Sequence, residues 1–141
     1  MAAFNKFQAF VQDLAHQVHK LSTDTLKVML TNTAPVATNA IKSDLTEIAA
    51  GNGYTAGGTA TSITSSAQTT GTYKLVLADV VFTAAGGTIG PFRYATLYND
   101  TPTSPLDPLI GWWDYGSSIT LADTETFTWD ADPTNGILTL V

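Results

Sequence analysis

A chain of 141 residues has room for one domain of ordinary size around a single core. Its net charge of −6 and pI near 4.4 exclude a phosphate-binding face of clustered Lys and Arg, and the absence of cysteine excludes disulfides and thiolate metal sites. Hydrophobic residues make up 44% and charged residues only 13%, so either Thr- and Ser-rich β faces solvate the exterior without charge or partner subunits cover part of it.

The charges are also unevenly placed. All basic residues lie between Lys6 and Arg93, whereas Tyr94 to Val141 holds seven acidic residues and no basic one, which is unsuited to nucleic acid. No apolar run approaches the roughly 18 residues of a membrane span. The N-terminus, with Asn5, Gln8, Gln12, Asp13 and His16 among its apolar residues, is unlike a signal peptide, so the expected place of synthesis is the cytoplasm.

In chain order, Phe7, Phe10, Val11, Leu14, Val18 and Leu21 recur at steps of three and four. This spacing predicts an amphipathic helix over Phe4 to Leu21, within an N-terminal unit of residues 1–24, that packs on the domain's own sheet or on a neighbouring subunit. Leu26, Val28 and Leu30 then alternate with Lys27, Met29 and Thr31, predicting a strand with one buried face that ends at Asn32 and Pro35. Asp44 and Glu47, with Leu45 and Ile48 as anchors and Gly51 as a stop, fit one or two helical turns over Ser43 to Ala50. Residues 51–72 contain only Tyr54 and Ile63 as large apolar side chains. Such a Gly/Thr-rich stretch reads as an extended arm or loop that orders against a neighbour, or else as a polar edge strand.

Residues 73–141 form the main strand region. Tyr73, Leu75 and Leu77 share one parity and Val80 and Phe82 the other, so a β-bulge is expected at Ala78 and Asp79. A turn at Gly86, Gly87, Gly90 and Pro91 precedes a strand at Phe92 to Tyr98, and Pro102, Pro105 and Pro108 make Asn99 to Pro108 a loop. Further strands are expected at Leu109 to Tyr115, Ser118 to Leu121, Thr124 to Trp129 and Ile137 to Leu140, with Asp132, Pro133, Asn135 and Gly136 turning the last hairpin. The expected fold is mainly β, a β-sandwich or jelly-roll-like barrel with an N-terminal amphipathic α-helix, in one domain of residues 1–141.

Catalytic chemistry finds little support. The only imidazoles, His16 and His19, fall on the predicted helix, where a solvated polar face explains them better than a metal site with Asp13. Gly51, Gly53, Gly57 and Gly58 do not match a dinucleotide fingerprint. Asp130 to Gly136 is faintly like a calcium loop, but a hairpin turn accounts for the same residues. Asp123 and Glu125, placed on one strand face, lack the sugar-binding surroundings of a glycosidase. No catalytic residue, metal ligand or cofactor is therefore assigned.

The aromatic residues are more informative. On a strand, Trp112 and Trp113 point to opposite faces, so burying both requires protein on each side of the sheet, supplied by the core and by either the N-terminal helix or a second subunit. The candidate interface residues are Phe4, Phe7, Phe10, Tyr54, Trp112, Trp113, Tyr115 and Trp129. A different class of function, a carbohydrate-binding β-sandwich, would instead stack Trp112, Trp113 or Tyr115 on sugar rings.

Segments along almost the whole chain, namely FNKFQAFVQDLAHQVHKL, LKVMLTNTAPVATN, DLTEIAAGNGYTAGG, TYKLVLADVVFTA, GPFRYATLYND, PLIGWWDYGSSITL and GILTL, resemble a family of small structural proteins of tailed bacteriophages. The resemblance carries no catalytic signature. It implies a virion component, foremost a capsid decoration or cement protein that sits on the head surface, binds the major capsid protein or other virion proteins, and forms a homo-oligomer with a trimer favoured. A tail or head-fibre component is the alternative within that class.

Overall fold

The computed structural model describes residues 2–141 and is mainly β. Its elements are β1 (Asn5–Lys6), α1 (Gln8–Ala15), β2 (Leu26–Thr31), β3 (Thr59–Thr61), β4 (Ile63–Thr69), β5 (Thr72–Leu77), β6 (Val80–Thr83), β7 (Ile89–Asn99), β8 (Leu109–Leu121), β9 (Thr126–Trp129) and β10 (Leu138–Leu140). Every pairing between them is antiparallel. A five-stranded sheet in the order β1-β8-β7-β2-β3 faces two smaller sheets, β10-β5-β4 and β6-β9, in a sandwich-like arrangement.

Parity explains the main core. Leu26, Val28 and Leu30 of β2, Ala95 and Leu97 of β7 and Trp113 of β8 project from one face of the large sheet onto Leu75 and Leu77 of β5, Phe82 of β6 and Trp129 of β9. The expectation of a single buried face on β2 is corrected, because Met29 and Thr31 on the opposite parity are also fully buried. Met29 belongs to a second, smaller cluster with Phe7, Tyr98 and Leu109, against which Leu45 and Trp112 pack. Both faces of the central strands are thus covered by this chain itself.

The predicted helix over Phe4 to Leu21 is shorter in the structure. Phe7 has extended backbone, and its N–H donates to Ile110 O, so the first residues pair with β8 instead of starting a helix. At the other end Gln17 takes a left-handed φ of 63°, and the N–H groups of His16, Gln17 and Val18 close back onto Gln12, Leu14 and Asp13. Phe10, Leu14 and Leu21 still face the core, the last through a turn, which is why the apolar spacing outlasts the helix.

Further expectations change for equally local reasons. Lys42–Asp44 is a single 3₁₀ turn, stabilised by Asp44 Oδ2 accepting from Ala40 and Ile41 N–H; beyond it the chain is extended, and Glu47 bridges Thr31. The Gly/Thr-rich stretch contains β3 and β4 in place of a free arm, and Thr70 and Gly71, with φ of 49° and 85°, make the two-residue turn from β4 into β5. Ala78 and Asp79 are not a bulge within one strand but the crossover from the β10-β5-β4 sheet to the β6-β9 sheet. Gly90 and Pro91 lie inside β7 at a register shift, and Leu109 to Leu121 is one strand whose ladder is interrupted between Tyr115 and Ser118. The turn at Asp132 to Gly136 does not close a hairpin with β9, because β10 pairs with β5.

Candidate functional site

The predicted interface residues divide by parity and depth. Phe7, Phe10, Tyr54, Trp113 and Trp129 are buried in the chain's own packing and cannot anchor a partner while the domain is folded. Trp113 stands edge-on to Trp129 at a centroid distance of 5.1 Å and lies 5.4 Å from the half-buried Phe4. Trp112, on the opposite face, is half-buried with its ring 4.6 Å from Phe7. The cover over Trp112 is therefore Phe7, in the extended segment before the helix and not on the helix that the sequence offered, and it leaves the indole half-exposed. Tyr115 is half-buried edge-on to Phe127, and burial, with Asp130 adding to it, pushes its hydroxyl pKa up to about 12.

Tyr54 is a strut. Its hydroxyl donates to Glu47 Oε1 at 2.8 Å and accepts from Leu30 N–H at 3.1 Å, completing the flank of β2 where β3 has already ended. Burial raises its pKa far above the usual tyrosine range. Glu47, expected from the sequence on a short helical turn, also accepts from Gly57 N–H at 2.6 Å, and Tyr98 OH donates to Gly57 O at 2.6 Å.

The histidines separate. His16 is exposed, but His19 lies outside the helix and is buried against Phe10, which corrects its expected place on a solvated face. Asn99 Nδ2 donates to His19 Nδ1 at 3.2 Å and to Asp24 Oδ2 at 2.6 Å; this arrangement puts the imidazole proton on Nε2, which has no protein partner. Burial lowers the His19 pKa, against the opposing pull of Asp13 and Asp24. As pH falls through the ordinary histidine range near 6.5, the unfolded chain takes up this proton before the folded one. The stability contributed by neutral His19 is complete above that range and is lost as pH falls through the folded value. Melting temperatures measured from pH 8 to pH 5 should decline in wild type and decline less in His19→Gln; equal slopes would remove the assignment. Asp114 and Asp132, whose pKa values are lowered by hydrogen bonds from Arg93 and Asn135 respectively, act in a more acidic window.

The remaining carboxylates fasten turns. Asp132 accepts from the N–H groups of Thr134 and Asn135 and from Asn135 Nδ2, each at 2.8 Å. Asp123 and Glu125 do not share a strand face; they sit in the turn before β9 and accept from Gly86 and Ala122 N–H. Among the described residues, no group of three His, Asp or Glu side chains is placed to hold a metal ion.

What the surface does present is a neutral, open-edged sheet. No charged residue occurs between Glu47 and Lys74, and β4 ends the β10-β5-β4 sheet with Thr64, Ser65, Ala67, Gln68 and Thr69 exposed. A groove of about 260 Å³ lined by Leu14, Leu21, Ser22, Ser66, Tyr73 and Leu140 adjoins it. No protein-family model, curated protein or solved structure matches the chain.

Proposed function

We propose that the chain is a non-enzymatic structural subunit of a tailed-bacteriophage particle, a capsid decoration or cement protein that binds the major capsid protein lattice on the head surface. The phage assignment rests on the sequence resemblance of the quoted segments. The adhesive part rests on one observation: an acidic chain keeps the region from Ile48 to Tyr73 free of charge and displays seven residues of it as the exposed edge strand β4. Lys, Pro and covering loops normally blunt such an edge, and β4 has none of the three. A cement subunit needs contacts over about 1,000 Å² with weak individual chemistry, and neutral Thr/Ser edges supply them through main-chain hydrogen bonding.

The reading of a carbohydrate-binding module loses its foremost platform, because Trp113 is buried and Trp112 has Phe7 against its ring. The decisive test is co-sedimentation of the purified protein with undecorated phage heads. Saturable pelleting with heads supports decoration, and protein that stays in the supernatant at every ratio overturns it.

A further inference from the structure

We infer that β4 is a self-association edge, which pairs antiparallel with β4 of a second copy of this chain across a two-fold axis and joins two β10-β5-β4 sheets into one six-stranded sheet. The inference deepens the adhesive reading and rests on it by naming the partner of that surface: β4 joins cement subunits to one another, and the capsid lattice meets the other faces of the dimer.

Length singles out this edge. β1 has two residues and β3 and β10 three each, whereas β4 has seven. A register shift disturbs β4 only between Ile63 and Ser65. From Ser65 to Thr69 every residue pairs in step with β5, from Val76 back to Thr72, leaving a regular row of main-chain groups on the outer side.

Charge then selects the occupant. The protein carries −6, so two copies repel over most of their surfaces, and juxtaposition is least opposed where neither copy is charged. A two-fold antiparallel pair sets the residue at its centre against its own counterpart and each flanking residue against the one equally far on the other side, so any charge near the centre of β4 would face itself; Ser65, Ser66 and Ala67 are small and neutral there. A basic partner would find no acidic side chain on this strand. The adjoining groove, with Leu140 43% exposed, gives the paired edges an apolar flank and widens the contact beyond one ladder. The pairing is isologous and makes dimers; a trimer requires β4 to meet a different surface.

Sedimentation equilibrium of the full chain should give a species of twice 14.9 kDa. Ala67→Lys places like charges across the axis and should weaken the dimer by about tenfold or more, whereas Val81→Lys, exposed on the other small sheet, should leave it unchanged. Circular dichroism establishes that both variants fold. Because the chain has no cysteine, Ala67→Cys offers a second readout, a disulfide-linked dimer under mild oxidation that Thr139→Cys on β10 does not form. A monomer, a trimer, or a dimer insensitive to Ala67→Lys overturns the inference. Monomers that still pellet with heads overturn self-pairing alone, and dimers that ignore heads overturn decoration alone.

Discussion

Trp113→Ala should lower the free energy of unfolding by about 3–5 kcal/mol, and Trp112→Ala, one residue away, should lower it markedly less. Trp113 is 1% exposed and is wedged between Phe4 and Trp129, so truncation leaves a cavity that the sandwich cannot close. Trp112 loses chiefly its contact with Phe7, and solvent fills part of the space. Urea denaturation of the two variants side by side measures the difference. Equal losses would mean that parity does not separate the faces. A Trp113→Ala protein of unchanged stability but altered oligomeric state would restore that indole to an interface.

The strand pattern was readable because alternation is local. Leu26, Val28 and Leu30 repeat every second residue whatever they pack against, and the three prolines between Asn99 and Pro108 forbid a ladder wherever the loop goes. Long-range choices were not readable. The Phe4 to Leu21 spacing fits a helix equally well whether or not Phe7 N–H is claimed by Ile110 O, and that bond depends on a residue more than a hundred positions away. Likewise, β10 could pair with the preceding strand by sequence proximity, yet Ile137 N–H donates to Leu75 O and the strand joins β5.

The surface was half legible for a related reason. A low content of large apolar residues marks residues 51–72 as unable to form a core, but an edge strand needs only one partner, and β5 supplies Leu75, Val76 and Leu77 to hold it. Bulky aromatics, by contrast, signal burial without saying by whom. The fully buried Trp129 is as consistent in sequence with an interface as with a core, and only the pairing of β9 with β6 and its packing on Trp113 of β8 decide. His19 was misplaced because its neighbour Asn99 is eighty positions away.

The same residues that make the stretch look unstructured include one whose backbone position is tightly fixed. Gly58 has φ +78°, and a Cβ there would lie 1.9 Å from Val28 O and 2.8 Å from Met29 Cα, against the backbone of the central strand. Gly58→Ala should therefore destabilise by about 3 kcal/mol or more, since neither relaxing φ nor shifting β2 is available without breaking the Tyr98 and Glu47 hydrogen bonds to Gly57. Gly71→Ala is the matched control: its φ is +85°, but its Cβ would meet nothing within 4 Å, so only the left-handed conformation is penalised, by about 1 kcal/mol. Thermal melts of the pair separate contact from conformation, and amide exchange should show Gly58→Ala losing protection along β3. Similar losses for both variants would mean that the approach of Gly58 to Val28 contributes nothing, and that residues 51–72 hold to the sheet through β4 and β5 alone.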